Sequence, residues 1–289
     1  MLATHDDHAR MHGGEDTGCY SPPPVPQPFG QLPSSLAAMS RTVRLAGGQV
    51  PALLVHPHLD AATGRATRPA PVLVWMHGRT VTKELDPGRY LRLARAGIAS
   101  CALDLPGHGE RFDAALQDPA RTLEVVERMA GEIDAVVADL DASGEHAGCR
   151  RAIGGMSAGG MATMVRLCRP HAFGCAMVEC SIGSWRWQER RAMFDPARVA
   201  AMDPIRHLDA WRDIPFLALH NELDEWVPAE GQREFVDELR RRSAHPDRIT
   251  MHAYGPTGAP NEHAGFGRFA SDAKERGTAF LVQWLLDGR

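Results

Sequence analysis

The stretch Gly155-Met156-Ser157-Ala158-Gly159 sets one hydroxyl between two glycines, directly after the short apolar run Ala152-Ile153. A serine hydroxyl is a poor nucleophile at neutral pH and becomes a useful one only beside a base that takes its proton and an acid that orients that base. The glycines suit a chain that passes from strand to helix within about one residue, because that turn forces an unusual backbone angle at the serine and leaves no room for neighbouring side chains. A glycine-lined turn or a phosphate-binding loop has a similar composition, but no Gly-Lys-Ser/Thr follows, and the flanking strand and helix patterns favour a G-x-S-x-G nucleophile elbow. The chemistry this predicts is acyl transfer through Ser157.

An elbow of this kind places the acid and then the histidine after the serine in the chain. Of the 14 histidines, only His245, His252 and His263 lie beyond the next two strand ends. His245 sits in a turn expected at the opposite end of the sheet, and His252 lies within a strand. His263, in the loop "PTGAPNEHAGFG" after the last strand, is the expected base. The acid is sought in "LALHNELDEWVP", where Asp224, Glu222 and Glu225 all carry the required group, with Glu179 at the preceding strand end as a further candidate.

The elements that must position these groups follow from hydrophobic period and breakers. Residues 40–57 read as a hairpin around Gly47-Gly48. "PVLVWMHG", "IASCALDLPGHG", "RAIGGMS", "FGCAMVECS", "IPFLALHN" and "RITMHAY" are short apolar runs of the kind buried on both faces of a parallel sheet. Between them lie helical patterns, among them Leu123, Val126, Ala130, Ile133, Val137 and Leu140 at three- and four-residue spacing. Alternating strands and helices imply an α/β fold of about eight strands with helices on both faces. Residues 181–214, aromatic and basic, break that rhythm and are expected to form a small lid inserted beside the sheet, with Trp185, Trp187, Phe194 and Trp226 as candidate pocket residues.

Composition is that of a globular chain of 289 residues, 44% apolar and 24% charged, with a net charge of −4 that gives no reason to expect nucleic acid or an anionic membrane as partner. No apolar run approaches the roughly 18 residues that would span a bilayer. The six cysteines include no C-x-x-C pair, so no metal and no redox cofactor is expected. The first 35 residues, rich in histidine, acid and proline, are expected to form a polar arm preceding one domain over residues 36–289. They lack the basic and apolar regions of a signal peptide, and the expected location is cytoplasmic.

Five ordered segments, "VLVWMHGRT", "CALDLPGHGER", "GGMSAGG", "PFLALHNELDEWVP" and "NEHAGF", together resemble the α/β-hydrolase superfamily, and within it the dienelactone hydrolase and prolyl-oligopeptidase-like branch. The resemblance spans about residues 40–289. It implies Ser157, Asp224 and His263 as nucleophile, acid and base, and an oxyanion hole from the backbone N–H groups of Ala158 and Arg79. It implies structural roles for His77 and His108. Dienelactone hydrolases carry cysteine at the elbow where this chain has serine, so lactone specificity does not transfer. Arg79 replaces the small residue of many relatives and is placed either in solvent or against a substrate carboxylate. The expected activity is hydrolysis of small to medium carboxylic esters without a cofactor. Cleavage of small peptides or amides is the alternative, and a non-catalytic small-molecule binder is a third reading that a complete triad disfavours.

Overall fold

The computed structural model of the protein describes residues 32–287. As far as residue 31, the expected arm lies outside the described residues. Ordered structure begins inside its last four positions, with the short helix α1 (Ser34–Ala37), whose Leu36 is fully buried. Strands β1 (Ser40–Leu45) and β2 (Val50–Val55) form the expected hairpin, and a two-residue pair, β3 (Leu59–Asp60) and β4 (Arg65–Ala66), follows. Then β5 (Val72–Met76), helix α2 (Pro87–Arg95), β6 (Ala99–Leu103), helix α3 (Thr122–Ala142), β7 (Arg151–Met156), helix α4 (Ala158–Leu167) and β8 (Cys175–Glu179) alternate regularly. Helix α5 (Pro196–Met202) lies in the segment before β9 (Phe216–Asn221), and helix α6 (Ala229–Arg242), β10 (Ile249–Tyr254) and helix α7 (Ala270–Val282) complete the chain.

Eight strands make one sheet in the order β1-β2-β6-β5-β7-β8-β9-β10. β2 is antiparallel to both of its neighbours, and the pairings from β6 to β10 are parallel. Alternate residues of each inner strand serve opposite faces, as the period of two requires. In β5, Val72, Val74 and Met76 join one core with Val126 of α3, Met161 of α4 and Phe235 of α6, while Leu73 and Trp75 join the other with Leu36, Leu93 of α2 and Leu281 of α7. Both faces of the strands are therefore apolar, which explains their unbroken hydrophobic runs.

The chain runs outward from β5 to β6 on one side and resumes at β7 on the other. That reversal is a topological switch point at the carboxyl ends of β5 and β7, the place where open α/β sheets bind ligands. Ser157 follows β7 directly.

The expected lid over residues 181–214 is a packed cap. Trp185 is fully buried, and Val199, Met202, Leu208 and Ile214 join the core beside α6. Arg198 pairs with Glu127 of α3, so the segment reaches across that face of the sheet.

Candidate active site

The elbow is built by close approach. Ser157 has φ 50° and ψ −119°, a conformation that an L-residue holds only when its surroundings enforce it. Three backbone links do so: Ser157 N–H donates to Glu179 O at 2.9 Å, and Ser157 O accepts from Met161 N–H at 2.9 Å and from Ser181 Oγ at 2.9 Å. A Cβ at Gly155 would lie 2.4 Å from the carbonyl carbon of Gly159, and one at Gly159 would lie 2.3 Å from Met76 O. The two glycines are what let helix α4 start against β5 and β7.

His263 reaches Ser157 from the loop after β10. Its Nε2 is 3.0 Å from Ser157 Oγ, and its Nδ1 is 2.7 Å from Asp224 Oδ2. Asp224 is set by its own loop after β9, where Oδ1 accepts from Trp226 N–H at 2.9 Å and Val227 N–H at 2.8 Å. With both oxygens engaged, the carboxylate has one orientation, and the neutral imidazole is fixed with hydrogen on Nδ1 and its lone pair on Nε2 toward the serine. Asn221 ties the two loops together by donating from Nδ2 to Glu262 O at 2.6 Å and Gly265 O at 2.8 Å.

A second histidine lies beneath the acid. His220 is completely buried, its Nε2 donates to Val227 O at 2.8 Å, and burial holds its imidazole below the usual histidine range. Sequence reasoning passed over it because a histidine inside a strand pattern carries no local signal.

The other candidate acids are engaged elsewhere. Glu179 receives both of its bonds from Arg89 Nη2, at 2.8 and 2.7 Å, in a buried ion pair. Glu222 pairs with Arg233, and Glu225 accepts from Asn261 Nδ2 at 3.0 Å. Of the downstream histidines, His245 is exposed, and His252 packs edge-on against Tyr254 with ring centroids 4.4 Å apart.

The turn after β5 faces the elbow, and a Cβ at Gly78 would sit 3.4 Å from Ser157 Cβ. His77 braces this turn, with Nδ1 donating to Gly78 O at 2.6 Å and Nε2 accepting from Leu105 N–H at 3.1 Å. His108 lies 5.6 Å from the His77 ring, and burial is the chief cause that lowers its pKa to about 4. The half-buried side chain of Arg79 is engaged by the protein itself. It folds back onto the segment before α3 and its first residue, donating to Leu116 O, Gln117 O, Asp118 O and Thr122 Oγ1.

Among the expected pocket residues the structure separates two kinds. Trp185 is a correction: with no exposed surface and its Nε1 donating to Ile182 O at 3.1 Å, it packs the cap onto the body and lines nothing accessible. Phe194 likewise packs against the core. Trp187 and Trp226 remain 42% and 45% exposed, and the Trp226 ring lies 5.1 Å from that of His263, so it borders the Ser157-His263-Asp224 line. Among the described residues no cluster of His, Cys, Asp and Glu has the geometry of a metal site, and no helix is long and apolar enough to cross a membrane.

An eight-stranded, mostly parallel sheet with helices on both faces and a serine elbow at its switch point defines the α/β-hydrolase fold. More narrowly, the chain belongs to the prolyl oligopeptidase family of serine hydrolases, whose sequence profile matches residues 90–287. No curated protein sequence matches the chain. Among solved structures it is similar to TT1662 from Thermus thermophilus, with 22% identity and a TM-score of 0.67 over 86% of this chain and 98% of that one. It is also similar to the esterase Pf2001 of Pyrococcus furiosus, with 16% identity and a TM-score of 0.64 over 92% of this chain and all of the other. A puromycin-hydrolysing peptidase of Mycobacterium tuberculosis gives 19% identity and a TM-score of 0.67 over 88% of this chain, which spans 40% of that longer protein.

Proposed function

We propose that the protein hydrolyses carboxylic esters of small to medium size, with Ser157 as nucleophile, His263 as base and Asp224 as the acid that orients it. The observation that carries this reading is the continuous line of hydrogen-bonding distances from Ser157 Oγ through His263 to Asp224, at 3.0 and 2.7 Å, on a backbone held in elbow conformation.

In this mechanism Ser157 Oγ attacks the ester carbonyl carbon while its proton passes to His263 Nε2. The oxyanion of the tetrahedral intermediate is received by the backbone N–H groups of Ala158 and Arg79, and each such donor typically contributes roughly 3 to 4 kcal/mol to the transition state. Collapse breaks the ester C–O bond, and the alcohol leaves with the proton held by His263. Water then gives a proton to His263 and attacks the acyl carbon, releasing the carboxylic acid and restoring the serine. Asp224 stays ionised and stabilises the imidazolium formed in each half-reaction.

The ester reading draws support from the Pyrococcus furiosus esterase, which is matched over its full length, whereas the Mycobacterium tuberculosis peptidase is matched over 40% of its own. The same three groups also cleave amides, and the family keeps small aminoacyl amides as the second reading. Intact-mass measurement after treatment with a fluorophosphonate, on wild type and Ser157→Ala, tests the nucleophile: one adduct on the wild type and none on the variant is expected. Rates on p-nitrophenyl esters of increasing chain length against aminoacyl p-nitroanilides then decide the bond. Absence of an adduct on folded wild type removes the proposal, and faster amide cleavage replaces ester by amide.

A further inference from the structure

The two N–H groups that hold Asp224 belong to the peptide planes Glu225-Trp226 and Trp226-Val227. A peptide unit is rigid, so whatever fixes its carbonyl also aims its N–H. Both carbonyls are held from the cap: Gln188 Nε2 donates to Trp226 O at 3.1 Å and Arg191 Nη1 donates to Glu225 O at 3.3 Å. Gln188 is 1% exposed and closes the 3-10 turn Trp185–Gln188. That turn is anchored at its other end by the buried Trp185 ring and by Trp185 N–H donating to Asp203 Oδ1 at 3.0 Å. Arg191 is exposed, and its longer bond competes with water.

We propose that Gln188 is a positioning residue for the catalytic acid. Its amide grips the carbonyl end of the Trp226-Val227 peptide and keeps the opposite end, Val227 N–H, on Asp224 Oδ1, so the segment between β8 and β9 is a working part of the triad's support. Arg191 does the same for the adjoining peptide more weakly. A bond donated to a carbonyl also polarises the N–H of the same unit, which strengthens its hold on the carboxylate. The inference rests on the triad reading above, with Asp224 as acid.

The test compares wild type, Gln188→Leu and Gln188→Glu on p-nitrophenyl acetate from pH 6 to 9, with unfolding midpoints and fluorophosphonate labelling measured on each protein. Gln188→Leu removes the donor, and kcat is expected to fall about tenfold at every pH with KM changed by less than about twofold, because a loosened acid misorients the base without touching the substrate. Gln188→Glu keeps the shape. Its protonated carboxyl donates to Trp226 O and its ionised form repels it, so the ratio of its kcat to that of wild type is expected to fall as pH rises. Taking the ratio at each pH cancels the titration shared with wild type, and a residue that merely supported the fold would give no such trend. Both variants folded with wild-type kcat, or a pH-independent ratio for Gln188→Glu, would overturn the role of Gln188. If Gln188→Leu does not fold, the pH trend of Gln188→Glu decides alone. Wild type that takes no adduct at Ser157 instead removes the triad reading, which is a different failure.

Discussion

At the scale of single residues, the proposed mechanism separates groups that react from groups that hold. His263→Ala should lower kcat by roughly four to six orders of magnitude, the usual cost of losing one member of a cooperating set, with little change in the unfolding midpoint. Steady-state kinetics beside a thermal melt checks both halves. Arg79 makes the opposite case. Its side chain binds three carbonyls of the segment before α3 and the Thr122 hydroxyl that opens α3, so Arg79→Ala should cost stability, about 1 to 3 kcal/mol by denaturant titration, while leaving the proposed backbone donor in place. A selective loss of rate on substrates bearing a carboxylate would contradict that assignment. Trp226, 45% exposed and 5.1 Å from the His263 ring, offers an aromatic surface beside the proposed base. Trp226→Ala is expected to raise KM for aryl esters several-fold more than for methyl esters, because an apolar group leaving past His263 loses the ring it would pack on.

At the scale of elements, the elbow depends on space that does not exist. Gly159→Ala would put a methyl group 2.3 Å from Met76 O and 2.5 Å from His77 O, both backbone atoms that cannot turn aside. The variant should lose more than about 3 kcal/mol of stability or fail to fold, whereas alanine at Gly131, on the open side of α3 with nothing within 4 Å, should be neutral or stabilising. A pair of chemical denaturation curves distinguishes them. The strand-helix alternation was legible because both faces of the sheet are buried and each inner strand is apolar throughout. The elbow was legible because its sterics admit few residue types. The β3–β4 pair was not, since two-residue strands have no period to read. Nor was the burial of Trp185: an aromatic residue in an irregular segment looks the same whether it packs inward or lines an opening. The peptide planes behind Asp224 were equally silent, because Gln188 and Trp226 are 38 residues apart and the bond between them passes through backbone.

For the molecule as a whole, histidines wholly or partly withdrawn from water set how stability depends on acidity. His56, His108 and His171 are each held at about 4, in every case first by burial. Their unfolded value is near 6.5, so between pH 6.5 and 4 the unfolded chain binds more protons than the native one, and stability falls as pH falls through that window. His108→Asn retains a donor for Pro106 O, which His108 Nδ1 approaches at 2.9 Å, and removes one titrating group. Its stability should decline with acid less steeply than that of wild type, by up to about 1.4 kcal/mol per pH unit, as read from denaturant midpoints across the window. The loops at the carboxyl ends of β5 and β6 meet on Lys83, whose ammonium is 2% exposed and reaches Asp104 Oδ2 at 2.9 Å, Glu110 Oε1 at 2.7 Å and Glu84 Oε1 at 3.0 Å. Arginine supplies all but two of the 32 Lys and Arg residues, and the other lysine is Lys274 on α7. Acylating reagents aimed at side-chain amines therefore meet one partly exposed lysine on the native protein, Lys274, paired with Asp86 at 3.2 Å. A second modified lysine would report that the two loops beside the elbow had come apart, and the chain thus carries its own chemical gauge of whether that end of the sheet is closed.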